Sequence, residues 1–200
     1  MNARRFEEAY RGTPPWDIGR AQPAFERLAA DGLVAPPVLD AGCGTGENAL
    51  HFAARGFEVV GVDAVEAAVA AARAKAEARG LAAEFLVHDA LALGGLGRRF
   101  RTVLDSGLFH TFDDAERRRY VASLAAATSL GAHVFVLSFS EHEAGEGGPR
   151  RVTQAELRAA FDRPPFRVLG IEAATMATNL EGGGRKAWLA SVERVASPRA

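Results

Sequence analysis

The feature that most constrains this chain is an apolar segment that leads through an acid into a glycine turn. Val38 and Leu39 precede Asp40, and glycines then stand at every second position of Gly-Cys-Gly-Thr-Gly, residues 42–46. Glycine adopts positive φ angles and lets the backbone approach a ligand where a Cβ would collide. The run from Glu47 is typical of a helix, whose first N–H groups have no partner within the helix. This pattern predicts a strand, a turn and a helix, the place where open parallel sheets bind nucleotides.

The spacing of the glycines separates two ligand classes. Dinucleotide-binding turns follow the pattern G-x-G-x-x-G. Here the third glycine, Gly46, comes one residue early, and Glu47 stands where that pattern places glycine. A dinucleotide site is therefore disfavoured, and a tight turn without any ligand remains the alternative interpretation.

Two further acids follow the next two predicted strands. Asp63 closes the apolar run 57–62, 23 residues after Asp40, and an acid at about this distance typically binds ribose hydroxyls. The alternative is that Asp63 is a helix N-cap that forms a capping box with Glu66. Asp89 follows the strand predicted over 84–87 and is otherwise a turn aspartate. Three acids in register after three consecutive strands favour a ligand site.

Composition excludes several classes of protein. The chain has 200 residues and a net charge of −1, with acids and bases interspersed, so a nucleic-acid footprint is not expected. The longest apolar run is too short for a membrane helix, and the charged N-terminus does not resemble a secretory signal. The single cysteine, Cys43, is consistent with a reducing cytoplasm, and we expect it to be a small packed residue rather than a nucleophile.

Alternating helical and extended patterns predict an α/β fold in one domain over residues 1–200. Residues 1–35 are predicted to be a helical and loop segment that covers the site. Strands are predicted over 38–41, 57–62, 84–87, 100–104, 133–139, 166–171 and 186–195, with an irregular segment over 173–185. Helices are predicted over 64–79, 113–129 and 153–162, the last two with capping boxes at their starts. This order is typical of a three-layer sandwich around a mostly parallel sheet.

The motifs LDAGCGTG, GVD ending at Asp63, the acid at Asp89 and DSGLFH resemble the class I S-adenosylmethionine (SAM) methyltransferases. The resemblance implies a Rossmann-like, seven-stranded sheet in the order 3-2-1-4-5-7-6 with strand 7 antiparallel. It implies SAM as the cofactor and no metal. The cofactor-binding residues that it implies are Trp16, Asp40, Gly42, Cys43, Gly44, Gly46, Asp63, Ala64, Asp89, Ala90 and Asp105.

The segment PPWDIG followed by QP resembles the N-terminal part of bacterial small-molecule methyltransferases and of thiopurine, thiol and halide methyltransferases. This resemblance implies that Trp16 packs beside the cofactor. The plant-type thiol and halide enzymes lack the acid before the glycine turn, whereas Asp40 is present here. We therefore expect methyl transfer to O, N or S of a small aromatic, quinol or heterocyclic acceptor. A thiol, halide or thiopurine methyltransferase, a Rossmann-type oxidoreductase and a catalytically silent SAM-binding protein are the alternatives.

One histidine is the candidate catalytic base. His110 lies a few residues beyond the fourth strand, where the methyl group is expected to point, and its alternative role is a turn-capping residue. His142 lies in a glycine-rich loop, residues 140–151, that we consider as a lid. Phe109 and Phe112 are either pocket-lining or core residues. Arg150 and Arg151 are either an anion-binding pair or a solvated pair. The sequence does not indicate an oligomeric state.

Overall fold

The computed structural model describes residues 3–145 and 147–197, so the ends of the predicted domain and Glu146 lie outside the described residues. The chain forms a sheet of seven strands flanked by helices. Its strands are β1 (Val38–Ala41), β2 (Val59–Asp63), β3 (Glu84–Val87), β4 (Phe100–Ser106), β5 (Thr128–Phe139), β6 (Phe166–Ala177) and β7 (Gly184–Arg194). Its α-helices are α1 (Ala3–Ala9), α2 (Pro23–Ala30), α3 (Glu47–Ala53), α4 (Glu66–Ala78), α5 (Asp114–Ala127) and α6 (Gln154–Phe161). Short 3₁₀ helices span Ala90–Leu96 and Phe109–Thr111.

The strand order is β3-β2-β1-β4-β5-β7-β6, which confirms the order predicted from the resemblance. Neighbours from β3 to β5 pair in parallel, and β7 is antiparallel to both β5 and β6. In this order the chain crosses from β3 back to β4, beside β1. The carboxyl ends of β1 and β4 therefore meet at the reversal point, where open sheets of this kind form their ligand crevice.

Two apolar cores lie on opposite faces of the sheet. Helices α2, α3 and α4 cover one face with buried residues that include Phe25, Phe52 and Val69. Helices α5 and α6 cover the other with Tyr120 and Phe161. Because both faces are covered, β1 is buried along its whole length and has no polar-apolar alternation.

Three predicted element boundaries are wrong. Strand β5 begins at Thr128, five residues earlier than predicted, because Thr128 pairs with Phe100 across a register irregularity in β4. Strand β6 continues to Ala177 through a segment predicted to be irregular, because β7 pairs with it as far as Gly184. Helix α4 begins at Glu66, so Asp63 is not its N-cap.

Candidate active site at the carboxyl edge of the sheet

The glycine turn brings the backbone close to two other parts of the chain. Gly44 and Gly46 have φ angles of 55° and 86°, which disfavour other residues. A Cβ at Gly44 would lie 2.8 Å from the hydroxyl oxygen of Tyr10, and a Cβ at Gly46 would lie 2.8 Å from Phe85. Gly46 thus lets α3 begin close to β3, whereas Gly44 lets the Tyr10 hydroxyl of the N-terminal segment pack against the turn.

Asp63 is fixed at the end of β2 by two backbone donors. Its Oδ2 accepts a hydrogen bond from Gly44 N–H and its Oδ1 accepts one from Val65 N–H, both at 2.9 Å. The alternative interpretation of Asp63 as an N-cap in a capping box with Glu66 is wrong, since Val65 occupies the N-cap position and supplies no side-chain cap. Burial raises the pKa of Asp63, and its backbone donors oppose that shift. The carboxylate therefore links the glycine turn to the start of α4.

Asp40 carries an unsatisfied acceptor beneath the turn. Its side chain is fully buried, and Oδ2 accepts a hydrogen bond from Ala49 N–H at 3.1 Å. Within the described residues, Oδ1 has no hydrogen-bond partner. Burial raises the pKa of Asp40 to about 7, aided by the charges of Asp63 and Asp105 and opposed by the Ala49 donor. A buried acceptor without a partner is costly unless a donor or cation satisfies it in the working state.

Asp105 organises the turn after β4. Both of its oxygens accept hydrogen bonds from Phe109 N–H at 3.2 Å, and Oδ1 also accepts one from Leu108 N–H at 2.8 Å. The side chain is fully buried, and burial raises its pKa to about 6. These contacts give Asp105 a structural role in shaping the turn after β4. They provide no support for the expected direct contact with a cofactor.

Asp89 and Ala90 lie where β3 ends, as expected. Asp89 is exposed, and its Oδ1 accepts a hydrogen bond from Leu91 N–H at 2.8 Å, which caps the following 3₁₀ helix. Ala90 is buried, and its carbonyl accepts from Ser123 at 2.7 Å. The backbone joins this edge to β2, because His88 N–H donates to the carbonyl of Asp63. Asp89 and Asp63 are thus held on neighbouring strand ends.

The N-terminal segment lies over the glycine turn. Trp16 is 40% exposed and donates from Nε1 to the Tyr10 hydroxyl at 3.1 Å. Asp17 accepts a hydrogen bond from the hydroxyl of Thr45 at 2.8 Å. Lys75 Nζ donates to that Thr45 hydroxyl oxygen at 2.7 Å. A cavity between this segment and the turn is lined by Trp16, Asp17, Ile18, Arg20, Gln22, Gly42, Cys43, Gly44, Thr45, Glu47, Asn48 and Ser106.

Sequence reasoning missed Tyr10, Gln22 and Lys75 as members of this region. Burial and the charge of Asp63 raise the pKa of Tyr10, so its hydroxyl stays protonated. Gln22 joins α2 to the end of β6, donating to the carbonyl of Ala177 and accepting from its N–H. The only sequence signal for Gln22 was the Gln-Pro dipeptide that follows the PPWDIG segment. No local pattern indicated Lys75.

Cys43 lies in the middle of the turn with its side chain buried. Burial, together with the charges of Asp40 and Asp63, raises the pKa of its thiol well above the usual range. A thiol in this state is a poor nucleophile, since only the thiolate is reactive. The structure therefore agrees with its interpretation as a small packed residue.

His110 is buried behind the rim formed by β4 and β5. Its Nδ1 accepts a hydrogen bond from Phe139 N–H at 3.1 Å, and the two rings are 4.9 Å apart. Burial and, to a smaller extent, the positive charges of Arg117 and Arg151 together lower the pKa of His110 to about 3. The imidazole is therefore neutral at physiological pH. Its assignment as a base stays a prediction at this point.

The glycine-rich loop is held by side chains rather than left open. Arg151 donates to the carbonyls of Gly147 and Pro149 at 2.6 and 2.8 Å, and its guanidinium lies over the Phe139 ring. Arg150 pairs with Asp114 at 2.6 Å and with Glu156. Arg150 is therefore an exposed residue held by two ion pairs, and Arg151 is a half-buried residue that bonds to loop carbonyls.

Three other side chains expected near the acceptor have defined positions. Phe109 and Phe112 are core residues on the α5 face of the sheet. His142 stacks edge-on against Trp188, 5.4 Å between ring centres. Across residues 3–145 and 147–197 no three His, Cys, Asp or Glu side chains could share a metal ion, and no helix is long and apolar enough to cross a bilayer.

Comparison with known proteins gives consistent matches. The methyltransferase domain family matches residues 38–131. A 2-heptyl-1-hydroxyquinolin-4(1H)-one methyltransferase from Mycobacteroides abscessus is 39% identical over 164 residues, 76% of this chain and 72% of that protein. A structure from work on the conversion of a disulfide bond into a thioacetal group during echinomycin biosynthesis has a TM-score of 0.89 and 36% identity, covering 98% of this chain and 94% of the other. The glycopeptide N-methyltransferase MtfA bound to SAM shares the fold, with a TM-score of 0.69, 19% identity, and coverage of 86% of this chain and 92% of that one.

Proposed function

Because the chain belongs to the class I SAM-dependent methyltransferases, we propose that it methylates O, N or S of a small aromatic, quinol or heterocyclic acceptor. The observation that carries this acceptor class is the 39% identity with a quinolone methyltransferase, which extends over three quarters of the chain. An aromatic side chain at the site supports it, since Trp16 lines the cavity and is 40% exposed. A thiol methyltransferase from Arabidopsis thaliana is only 26% identical, so the thiol, halide or thiopurine alternative has weaker support.

The site fits the cofactor of the family. The unpartnered Oδ1 of Asp40 is an acceptor that a ligand with donors and positive charge would satisfy, and Gly42 and Gly44 line the cavity without side chains that would fill it. We infer that Asp63 and Asp89 bind the nucleoside hydroxyls and base, and that backbone groups of Ala64 and Ala90 assist them. When bound, SAM supplies a methyl group that is already activated on a positively charged sulfur.

The remaining task of the protein is to position the acceptor and exclude water. Well-oriented intramolecular reactions reach effective molarities of about 10⁵ M or more, so alignment alone supplies much of the acceleration. Trp16 offers a planar apolar surface at the mouth of the cavity, and its indole is fixed by the hydrogen bond to Tyr10. A flat aromatic acceptor matches such a surface better than a small aliphatic thiol or a halide ion does.

We also infer that residues 1–200 act as one domain, with residues 1–35 forming part of the site. Three hydrogen bonds support this inference: Asp17 accepts one from the glycine turn, Gln22 N–H donates one to α3, and the Gln22 side chain accepts one from the end of β6. A small-molecule acceptor, with neither nucleic acid nor membrane as a partner, and a cytoplasmic location belong to the same proposal.

Two measurements test the proposal. Calorimetry should show binding of SAM or S-adenosylhomocysteine with a Kd in the micromolar range, about −8 kcal/mol, and no binding of NADH. Methyl-labelled SAM should then label hydroxyquinolones, quinols or phenols in preference to thiols and halides. Binding of NADH in place of SAM would overturn the cofactor assignment. Efficient labelling of thiols or halides alone would overturn the acceptor class.

A further inference from the structure

The hydrogen bond at Nδ1 determines which nitrogen of His110 carries its proton. Phe139 N–H can only donate, so Nδ1 must offer its lone pair at 3.1 Å. A neutral imidazole has one protonated and one unprotonated nitrogen. The proton of neutral His110 is therefore on Nε2, and the ring presents a donor rather than a base on that side.

The Nε2 side of the ring lies beside Gly107, directly after the end of β4. A Cβ placed on Gly107 would lie 3.2 Å from Nε2 and 3.5 Å from the terminal methyl of Met176. Gly107 follows Ser106, which lines the same cavity as Trp16. Among the described residues we find no hydrogen-bond partner for Nε2, so one N–H donor at an apolar rim is left for a ligand.

The charged groups around the ring oppose a second proton. Arg117 from α5 and Arg151 from the glycine-rich loop are the charged groups that act on it. Together with burial they hold the pKa of His110 well below its ordinary value. Protonating the ring would also require Nδ1 to give up its bond to Phe139, because both nitrogens of an imidazolium are donors. Arg117 is paired with Glu156 at 3.1 Å, so it is the charge of Arg151, whose hydrogen bonds go to backbone carbonyls, that favours an anion beside the ring.

We propose that His110 is not a base but donates its Nε2–H to the attacking atom of an acceptor that binds as an anion. This inference rests on the proposed function and specifies the ionisation state of the acceptor. The acceptor loses its proton to bulk water rather than to the ring. Its freed electron pair forms the new bond to the methyl carbon as the carbon–sulfur bond breaks with its electrons on sulfur, and His110 keeps its proton throughout.

The first test needs only the unmodified protein and a set of phenols with different pKa values. If the acceptor binds as an anion, the apparent pKa in the pH profile of kcat/KM follows the pKa of each phenol. If His110 or another side chain is the base, the profile has one pKa that belongs to the enzyme and is the same for every phenol. A fixed enzyme pKa across the set would overturn the proposal.

The second test reads the ring directly, without turnover. Nitrogen NMR of the imidazole side chains, with His110 assigned from the signal lost in His110→Gln, should show the Nε2–H tautomer, neutral from pH 5 to 8. A Nδ1–H tautomer, or titration near pH 6.5, would overturn the proposal. Binding of S-adenosylhomocysteine to the same sample shows whether the cofactor assignment holds independently.

Two substitutions separate a donor from a base. Glutamine offers an amide N–H near the position of Nε2 but cannot take up a proton, whereas phenylalanine offers neither. We expect His110→Phe to lower kcat/KM by about 100-fold, and His110→Gln to retain at least a tenth of the activity on an acceptor ionised at the assay pH. Equal losses in both variants, at matched melting temperature and S-adenosylhomocysteine affinity, would contradict the donor role.

Discussion

Replacing Asp40 with asparagine tests the electrostatics beneath the glycine turn. The wild-type side chain is fully buried, its Oδ1 has no partner among the described residues, and Oδ2 accepts from Ala49 N–H. Asparagine has nearly the same shape and can keep the acceptor towards Ala49, but it cannot ionise. The variant therefore removes the cost of a buried negative charge with little change in packing.

The expected magnitude follows from the pKa of Asp40, which burial raises from 3.8 to about 7. Between these values the native state holds a proton that the unfolded state has released, so stability falls as pH rises. Each pH unit in that window corresponds to about 1.4 kcal/mol. We expect the free energy of unfolding of Asp40→Asn minus that of the wild type to rise by about 3 kcal/mol from pH 5 to pH 8. Most of this rise should be complete by pH 7.

The assay is urea unfolding of the cofactor-free protein at several pH values, with the difference between variant and wild type plotted against pH. Any fixed cost of the amide shifts the whole curve and leaves its slope unchanged. Asp89→Asn, which removes an exposed carboxylate at the end of β3, controls for loss of charge alone. If the Asp40→Asn difference stays constant from pH 5 to 8, Asp40 is ionised throughout and our electrostatic reasoning is wrong.

Two further substitutions probe the cofactor side of the site. Asp63→Asn should weaken S-adenosylhomocysteine binding by about 10-fold or more in calorimetry, and lose about 1 kcal/mol of stability, because the amide cannot accept both backbone N–H bonds. Unchanged affinity would show that Asp63 is only structural. Lys75→Met removes the contacts to Thr45 and Glu47, so proteolysis of the N-terminal segment should be faster and KM for SAM higher. Arg79→Met removes a contact to Glu47 but none to Thr45, so it should leave the rate of proteolysis and the KM for SAM unchanged.

Local sequence patterns predicted the parts of the structure that depend on neighbouring residues. The capping boxes Asp113–Glu116 and Thr153–Glu156 both form, with hydrogen bonds of 2.8–3.1 Å. The strand β1 and the glycine turn lie where predicted, because an apolar run and a set of glycines determine them almost alone. The box considered as an alternative at Asp63 does not form, because α4 begins later with Val65 as its N-cap, and Asp63 instead accepts from Gly44, 19 residues away.

Elements and contacts that depend on distant partners were missed. The second half of β6 has few β-favouring residues, and its strand conformation follows from pairing with β7. Lys75 reaches the site only because α4 packs beside the glycine turn, and its ammonium contacts Thr45 there. The role of His110 depends on a backbone N–H of β5, Phe139, that no spacing in the sequence reveals.

The two sides of the site carry opposite charge, and this polarity bears on which ligands it holds. The buried carboxyl groups of Asp40, Asp63 and Asp105 lie together near the glycine turn, where a sulfonium and an ammonium would be favoured. Arg117 and Arg151 act on His110, and because Arg117 is paired with Glu156, the charge of Arg151 is the one that would favour an anion there. On the proposed function, methyl transfer neutralises the sulfonium and the anion together. The electrostatic contribution to binding is therefore larger for the reactants than for the products. Fixed charges of this kind need no rearrangement during the reaction, which makes them effective in a site that excludes water.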